Sequence, residues 1–375
     1  MKVLHITNDF SGSKVYQKLM GELDSLGIPQ IIYNPIREVS RIGKNKIELK
    51  EEHSEIIYSL ILNKYSDRVF YKRKIRKIVN DLEDKIDLQK VTSIHAHTWF
   101  SDGGAAYELY KKHKIPYIIT VRNTDLNLFF KYMIHLRSYG IEILKNASKI
   151  IFISAVYKKR FFETMNLQNV YFDFENKSIV IPNGVDNFWI QNLQETKKEL
   201  NFPVELVYVG SFTKNKNVLR LIEAVSVLNK FEIKYHLTLI GEGGKHEKKV
   251  KRQLMNKSYV KFLGKIDDKA QLSQIFKKSH IFTMPSHTET FGLVYIEAIS
   301  QGLPIVFTRN EGIDGFYDNM KIGEAVNSQK LDSIVNAIEK IKTDYATYNF
   351  IGNEILKNHD WAKIAKKYEE FYKIN

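Results

Sequence analysis

Short apolar runs alternate along the chain with amphipathic stretches that end in glycine or in polar loops. The first unit of this kind has an apolar run at residues 3–6, apolar residues at helical spacing from Tyr16 to Leu26, and a second apolar run at 29–33. Apolar runs of this length between breakers are typical of buried strands, and the helical spacing between them indicates a crossover helix. The pattern therefore predicts strand–helix–strand units and a parallel sheet.

The same alternation continues through the rest of the chain. It predicts further strands at 91–96, 115–121, 149–154, 179–181, 205–210, 236–240, 260–264, 281–284 and 305–307. It predicts further helices at 71–79, 105–113, 127–144, 218–228, 267–278 and 361–368. Apart from the first of these helices, residues 38–90 are rich in charge and only weakly periodic, so no strand is predicted there.

A proline followed by Asn183-Gly184 breaks the pattern near the middle of the chain. Asn-Gly after proline is a strong turn signal. The 375 residues, of which 43% are hydrophobic, also suffice for two domains with separate cores. We therefore predict a first domain at 1–185 and a second at 186–360.

Lysine and arginine outnumber the acidic residues by 57 to 43, which gives a formal net charge of +14. A field of this sign attracts anionic lipid surfaces, nucleic acids and phosphorylated substrates alike, and lysine that only aids solubility is an equal alternative. The absence of cysteine excludes disulfides and thiolate metal sites. No apolar stretch approaches twenty residues, and residues 1–5 run straight into a strand pattern, so we expect a cytoplasmic protein that is not integral to the membrane.

The stretch from 281 to 307 is the strongest candidate for chemistry. A helix that begins near Phe291 or Gly292 would leave its first backbone N–H groups unpaired, and these groups can hold a phosphate. Glu289 lies in the loop before that helix, and Glu297 lies about a turn and a half into it. Carboxylates accept hydrogen bonds from paired hydroxyls, so the pattern fits a diphosphate between a sugar and a ribose. The alternative is that Glu297 only complements the helix dipole and Gly292 only eases a turn.

This stretch resembles the nucleotide-sugar site of the retaining glycosyltransferases of family 4. The order and spacing of the family pattern are matched by Pro285, Ser286, Glu289, Phe291, Gly292, Glu297, Ala298, Gly302 and Pro304. The resemblance covers nearly the whole chain and implies an α/β fold of the GT-B type, with two doubly wound Rossmann-like domains facing each other across a cleft. In that architecture the terminal helix, here 361–375, packs back on the first domain.

The resemblance also implies donor-binding roles for residues of the second domain. Glu289 would hold the donor sugar, Glu297 the ribose hydroxyls and Lys216 the diphosphate. The other implied donor contacts are the backbone amides of Phe291, Gly292 and Leu293 and the loop residues Gly210, Ser211, Lys214 and Gly241.

Relatives usually carry an arginine at the position of Ser211, so this loop is one cation short. Lys214 and Arg309 are the candidates to replace it. Lysine and helix amides can neutralise a leaving diphosphate without a metal, and no metal is expected. The sequence has no Asp-x-Asp pattern, and Asp267-Asp268 is explained as a helix cap.

In the first domain the resemblance implies that Gly12 lets backbone approach the donor phosphate or the acceptor. It implies that His97, the second histidine of a His-x-His run, faces the transferred sugar. Arg122 and Asp125 match a common Val-Arg-x-x-Asp pattern and would line the acceptor side. An Arg–Asp pair that only holds the loop is an equal alternative.

Two stretches of the first domain combine cations with apolar residues. The helix at 71–79 has a basic face, and the helix at 127–144 carries Leu128, Phe129 and Phe130 among cations. Either helix can lie on an anionic membrane surface. The alternatives are a solvated face for the first and a core-facing helix for the second.

Together these patterns predict a retaining hexosyltransferase that moves a sugar from a UDP-, GDP- or ADP-sugar to a glycan or lipid-linked acceptor. Its expected setting is the synthesis of a bacterial surface polysaccharide, peripherally at the inner face of the membrane. We expect no cofactor and no nucleic-acid partner. Two other classes stay open: an epimerase or pyridoxal-phosphate-dependent phosphorylase of the same architecture, and a non-catalytic basic module that binds lipid or nucleic acid.

Overall fold

The computed structural model describes residues 1–165, 171–194, 198–317, 319–348 and 352–373. The chain divides into two compact units. Unit 1 consists of Met1–Ile153, Tyr157–Gly184 and Trp361–Asn375, and unit 2 consists of Ser154–Val156 and Val185–Asp360. The main division falls after Gly184, one residue before the end of the predicted first domain.

Within the described part of unit 1, seven parallel strands form one sheet in the order β3-β2-β1-β4-β5-β6-β7. The strands are β1 Val3–Ile6, β2 Gln30–Pro35, β3 Glu55–Ser59, β4 Ser93–Ala96, β5 Tyr117–Val121, β6 Lys149–Phe152 and β7 Ser178–Val180. The central strands are buried along their whole length, as expected for a sheet covered on both faces.

The helices that follow these strands are α1 Lys14–Ser25, α2 Ser66–Val69, α3 Tyr71–Lys85, α4 Ser101–His113, α5 Arg137–Asn146, α6 Ala155–Met165 and α7 Tyr171–Asn176. Helix α1 shows why they form where they do. The Ser13 hydroxyl caps its first turn by accepting from the Val15 amide, and Gly27, at φ +69°, turns the chain away after it.

Two expectations for unit 1 are wrong. Residues 127–144 do not form one helix, because a π-helix at Asp125–Phe130 and a 3₁₀ turn at Ile134–Leu136 precede α5. The Arg137 Nε donates to the Phe130 carbonyl at 2.8 Å and holds this break. Strand β3 was not predicted, since it is a partly exposed edge strand in a charge-rich stretch.

Within the described part of unit 2, six parallel strands are ordered β10-β9-β8-β11-β12-β13. They are β8 Val204–Val209, β9 Tyr235–Ile240, β10 Val260–Gly264, β11 Ile281–Thr283, β12 Ile305–Thr308 and β13 Gly323–Val326. The helices are α8 Asn187–Gln191, α9 Val218–Leu228, α10 Glu247–Leu254, α11 Lys269–Lys278, α12 Leu293–Ser300, α13 Leu331–Thr343 and α14 Gly352–Lys357. A last helix, α15 Trp361–Lys373, packs in unit 1 against α1.

In each sheet the chain starts at a central strand, moves to one edge, and then returns to the other side of that strand. The neighbours at this reversal are β1 and β4 in unit 1, and β8 and β11 in unit 2. Ligands of open parallel sheets bind outside the carboxyl ends of the strands at this switch point. Over the described ranges, every helix is too short or too polar to cross a bilayer.

Candidate functional site

Two loops are joined at the carboxyl edge of β8 and β11. The Asn215 side chain donates to the Thr288 carbonyl at 2.8 Å and accepts from the Thr288 amide at 3.0 Å. The buried Asn217 side chain donates to the carbonyls of Pro285, at 3.1 Å, and Ser328, at 2.8 Å. These bonds fix the loop after β8 against the loop after β11 without help from a ligand.

Helix α12 begins at Leu293, directly after Gly292 and within two residues of the predicted start. Gly292 has φ +79°, and a Cβ atom there would lie 2.5 Å from the Tyr295 ring and 3.1 Å from Glu289 Cγ. The Phe291 side chain is 2% exposed and packs in the core, so only its backbone can reach a ligand. The first N–H groups of α12, beginning with that of Leu293, have no partner within the helix.

Lys216 and Glu289 are brought together from opposite loops. Lys216 Nζ lies 2.6 Å from Glu289 Oε2, although the two residues are 73 positions apart in the sequence. Their side chains remain 23% and 14% exposed, so a ligand can reach both. The Glu289 amide donates to Glu311 Oε2 at 3.0 Å, which fixes the backbone of the loop. This pair places a cation and a carboxylate beside the start of α12.

Glu297 lies on α12, five residues after Gly292, and is half-buried. Burial raises the pKa of Glu297 to about 7; the positive charge of Lys269 opposes the rise, and the negative charge of Asp186 adds to it. Lys269 Nζ is itself paired with Asp186 Oδ2 at 2.7 Å. The carboxyl group of Glu297 therefore changes charge near neutral pH.

The glycine loops after β8 and β9 touch each other through their backbones. Gly241 has φ +141°, and a Cβ atom there would lie 2.0 Å from the Gly210 carbonyl oxygen. The neighbouring Ser211 contributes no charge, and its carbonyl accepts from the Tyr208 hydroxyl at 2.9 Å. The predicted gap in positive charge at this loop is therefore present in the structure.

The two candidate replacements for that charge differ in their surroundings. Lys214 is exposed. The pKa of His287, in the loop after β11, is lowered mainly by the burial of His287 and further by the positive charge of Lys214. Arg309 is also exposed and donates to the Ala325 carbonyl at 3.4 Å. The charge of Lys214 thus acts on the loop that carries Glu289.

In unit 1, His97 is placed at the switch point but is fully buried. Its Nε2 pairs with His5 Nδ1 at 3.1 Å, its ring stacks on His95 with centroids 3.8 Å apart, and Tyr16 meets it edge-on. Burial holds the pKa of His97 well below its usual range, so the ring is neutral at pH 7. Contact with a sugar, as the resemblance implies, requires the neighbouring rings to move.

His5, His95 and His97 have ring nitrogens within 4.8 Å of one another, which is close enough to suggest a metal site. The ring stacking argues against this, because the lone pairs of stacked imidazoles lie in nearly parallel planes and do not converge on one ion. Both nitrogens of His95 are also within hydrogen-bond distance of hydroxyls, Tyr372 Oη at 2.7 Å and Thr120 Oγ1 at 2.8 Å. The stacking of these rings and the two hydroxyl partners of His95 therefore argue against a metal centre, while in the described part of the chain His5 Nε2 and His97 Nδ1 are buried without a hydrogen-bond partner.

Asp125 holds the loop after β4 rather than facing outward. It is 1% exposed, and its carboxylate accepts from three backbone amides at 2.8 to 3.1 Å. The donors are the amides of Trp99, Phe100 and Arg122. The structure thus favours the alternative in which Asp125 is structural, and it does not support a place for this carboxylate on the acceptor side.

Arg122 and Gly12 lie closer to the surface of unit 1. The Arg122 Nε donates to the His97 carbonyl at 3.3 Å, and its guanidinium lies 5.2 Å from the centre of the Tyr16 ring. A Cβ atom at Gly12 would lie 2.0 Å from Asp9 Oδ1. This atom ends a flexible side chain that can shift, so the contact with Asp9 does not by itself require glycine at position 12.

Two buried charged residues of unit 1, Asp102 and Lys74, were not predicted from the sequence. Asp102 is fully buried and accepts from the Asn8 amide at 3.1 Å, and Lys74 is 4% exposed. Burial raises the pKa of Asp102 and lowers that of Lys74, while each charge favours the charged state of the other. The one available signal was the position of Lys74, which lies beside Ile75 and Ile78 on the buried face of α3.

Two family profiles match the two halves of the chain. The profile described as Glycosyltransferase Family 4 matches residues 19–187, and the one described as Glycosyl transferases group 1 matches residues 191–368. An uncharacterized glycosyltransferase of Methanocaldococcus jannaschii is 29% identical over 300 residues, covering 76% of this chain and 77% of its own. The alpha-monoglucosyldiacylglycerol synthase of Acholeplasma laidlawii is 24% identical over 283 residues, covering 69% and 66%.

The fold is also similar to that of a solved structure, sucrose-phosphate synthase from Thermosynechococcus elongatus. The TM-score is 0.71 at 18% identity, and the match covers 99% of this chain and 98% of the other. With the two parallel sheets, this confirms the predicted α/β fold of the GT-B type.

Proposed function

The chain belongs to glycosyltransferase family 4 and is a hexosyltransferase, and we propose that it uses a nucleoside diphosphate sugar as donor and retains the anomeric configuration. The observation that carries the proposal is the pairing of Lys216 with Glu289 at 2.6 Å beside the first turn of α12. A cation, a carboxylate and unpaired amides together suit a sugar diphosphate.

Each donor group has a matching partner in unit 2. Lys216 and the amides of Phe291, Gly292 and Leu293 bind the diphosphate, and Glu289 accepts from hydroxyls of the sugar. Glu297 accepts from the ribose hydroxyls in its ionised form. When the donor binds, its phosphates compete with Glu289 for Lys216. The Glu289 carboxylate is then free to accept hydrogen bonds from the sugar hydroxyls.

The main barrier of the reaction is departure of the diphosphate from an anomeric carbon that gains oxocarbenium character. Fixed positive charge at the leaving group lowers this barrier, and here Lys216 and the amides of α12 supply it. The acceptor hydroxyl attacks the face from which the diphosphate leaves, and its proton passes to a phosphate oxygen. This route needs neither an enzymic nucleophile nor a metal.

We assign the acceptor to unit 1 and propose a glycan or lipid-linked molecule, used in the synthesis of a bacterial surface polysaccharide at the inner face of the membrane. The support is chemical: unit 1 exposes both cations and large apolar side chains. One relative is also named for a glucosylated lipid.

The test is a donor screen with the purified chain and UDP-, GDP- and ADP-glucose. We expect one nucleotide sugar to raise the melting temperature through mass action and to be hydrolysed slowly. Lys216→Ala should reduce both effects, whereas replacement of Lys249, an exposed lysine on α10, by alanine should leave them intact. Analysis of the released sugar by NMR then decides between retention and inversion.

Three results would contradict the proposal. A chain that no nucleotide or nucleotide sugar stabilises has no donor site of this kind. Conversion of the nucleotide sugar to its epimer without an acceptor would identify an epimerase. An inverted product would exclude the retaining mechanism.

A further inference from the structure

Residues 63–76 of unit 1 are here called the docking surface. Three large apolar side chains in this stretch are exposed to solvent. Tyr65 is 75% exposed, Val69 is 72% exposed and Phe70 is 58% exposed. They lie on α2 and at its two ends, immediately before α3. The apolar face of α3 itself is buried, so the exposed apolar residues precede the basic helix rather than belonging to it.

The docking surface is also strongly basic. Its exposed cations are Lys64, Arg68, Lys72, Arg73 and Arg76. The only acid between residues 63 and 76 is Asp67, which is 2% exposed and accepts from Lys77 Nζ at 2.8 Å and the Asn63 amide at 2.6 Å. Of the five cations, Lys64 pairs with Glu38 at 3.4 Å, and over the described ranges the other four form no ion pair.

Unit 1 has a second exposed apolar group, in the segment before α5. It consists of Leu128, Tyr132 and Ile134, which are 48%, 66% and 67% exposed. Phe100 connects the two, since its carbonyl accepts from the Tyr71 hydroxyl at 2.7 Å and its ring stacks on Phe129 at 5.3 Å. The break in the predicted helix at 127–144 therefore leaves apolar residues of this segment exposed.

A groove of 490 Å³ opens along α3 next to the docking surface. Tyr71, Ile75 and Val79 contribute apolar lining. Its charged lining includes the cations Lys72, Arg76, Lys111 and Lys112 and the acid Glu108. Lys111 pairs with Glu108 at 2.8 Å and Lys112 pairs with Glu83 at 3.0 Å, which leaves Lys72 and Arg76 to meet an anion. A groove with apolar and cationic walls has room for a phosphorylated headgroup and the first part of an acyl chain.

We propose that the docking surface holds unit 1 on an anionic lipid bilayer. Tyr65, Val69 and Phe70 enter the boundary between headgroups and acyl chains, and the surrounding cations bind lipid phosphates. Charge complementarity selects this occupant, because within residues 63–76 five cations are exposed, the one acid, Asp67, is buried, and of the five only Lys64 is shown paired with an exposed acid, Glu38. Lipid binding itself does not depend on the proposed function. Only its biological purpose, which is to bring the chain to a lipid-linked acceptor, rests on that function.

The experiment is sedimentation of the full chain with phosphatidylcholine vesicles, with and without a quarter of phosphatidylglycerol. We expect binding to the anionic vesicles that weakens at about 0.5 M salt, where headgroup charge is screened. The double variant Lys72→Gln, Arg73→Gln should bind the anionic vesicles about 25-fold more weakly, because each lost cation weakens binding about fivefold. Replacing Tyr65, Val69 and Phe70 by serine should weaken it by at least about tenfold.

Matched controls come from unit 2. Phe231 and Met255 are 93% and 81% exposed, and Lys248 and Lys249 are exposed on α10. Phe231→Ser with Met255→Ser, and Lys248→Gln with Lys249→Gln, should leave vesicle binding within about twofold of the parent chain. All these variants should keep the parent melting temperature, because the replaced side chains are exposed.

Equal binding to neutral vesicles, no binding to anionic ones, or an equal loss in the unit 2 controls would overturn the proposal. Stronger binding to an RNA or DNA oligonucleotide, lost in the same docking-surface variants, would also overturn it. Vesicle binding needs no nucleotide sugar. The result is therefore independent of the donor screen, and either proposal can fail without the other.

Discussion

At the scale of single residues, the candidate site depends on charges whose partners come from distant parts of the sequence. Lys216 is held by Glu289 at 2.6 Å, and Glu297 is placed where burial raises its pKa to about 7. A lysine already paired with a carboxylate is pre-positioned for a phosphate, because its side chain needs little further ordering. Glu297 is therefore mostly protonated near pH 6.

Lys216→Ala should lower kcat by about 10²- to 10³-fold, because the variant loses a fixed charge at the leaving diphosphate. Lys216→Arg keeps the charge and should recover part of the rate. Steady-state kinetics with the donor identified in the screen provides the measurement. A rate for Lys216→Ala within about threefold of the parent would show that other groups supply the charge.

Glu297 should make donor binding depend on pH. With a pKa of about 7 it is mostly protonated at pH 6 and mostly ionised at pH 8, and only the ionised form accepts from both ribose hydroxyls. Donor affinity should therefore rise by up to about tenfold over this range. Titration calorimetry of parent and Glu297→Gln separates this effect from titration of the donor phosphate, since the variant should lose only the part due to Glu297.

The same raised pKa should also affect stability. Between pH 4.5 and 7 the folded chain keeps a proton on Glu297 that the unfolded chain has lost, so the free energy of unfolding falls as pH rises through this window. The fall should amount to at most about 3 kcal/mol. Urea unfolding of Glu297→Gln should show a smaller decrease than the parent between pH 5 and pH 8; identical pH profiles would exclude a raised pKa.

At the scale of elements, the site is made where a strand ends and a helix begins. The junction from β11 to α12 is fixed by Gly292 at φ +79° and by the side-chain amides of Asn215 and Asn217 from the loop after β8. The backbone amides of α12 are thereby held in position before any donor arrives. Preorganised donors of this kind lower the cost of reorganisation during the reaction.

Gly292→Ala should disrupt this junction. Alanine in the left-handed backbone conformation of residue 292 destabilises the variant by about 1–2 kcal/mol, and the new Cβ atom would also lie 2.5 Å from the Tyr295 ring. Gly243→Ala is the matched control, since Gly243 has φ +73° but nothing within 4 Å of an added Cβ. Thermal unfolding and donor titration should show a larger loss for Gly292→Ala, and equal losses would mean that the junction tolerates the clash.

At the scale of the whole molecule, both units repeat one topology, and each collects its polar loops at the reversal of its strand order. The end of the chain does not extend unit 2 but completes unit 1. Helix α15 buries Trp361, Ile364 and Tyr368 in the core that contains Leu19 and Leu23 of α1. The stability of unit 1 therefore depends on residues at both ends of the sequence.

Trp361→Ala should lower the free energy of unfolding of unit 1 by about 3–5 kcal/mol, as expected for a large buried side chain. Trp361 is 3% exposed, and a Cβ atom at Gly184 would lie 2.5 Å from its ring. Phe231→Ala, at a residue that is 93% exposed, is the control and should change stability by no more than about 0.5 kcal/mol. Urea unfolding followed by circular dichroism compares the two, and similar small losses would show that α15 is not part of the core of unit 1.

The sequence by itself determined the alternation of strands and helices, because burial on both faces of a parallel sheet leaves a local apolar pattern. The family, and with it the GT-B fold, followed from the resemblance of the motif at 285–304. The sequence also located the start of α12 and the residues around it, since the family motif is contiguous. Strand β3 and the break before α5 escaped prediction, because edge exposure and a side-chain bond from Arg137 are not periodic signals.

Only the tertiary structure decided which side chains are in contact and how far each of them remains exposed to solvent. It paired Lys216 with Glu289, buried His97 among other rings, and directed Asp125 to backbone amides. It also exposed Tyr65, Val69 and Phe70 next in sequence to exposed cations. Contacts between residues far apart in sequence, and the desolvation that shifts the pKa of Glu297, arise from packing in three dimensions, which no local pattern records.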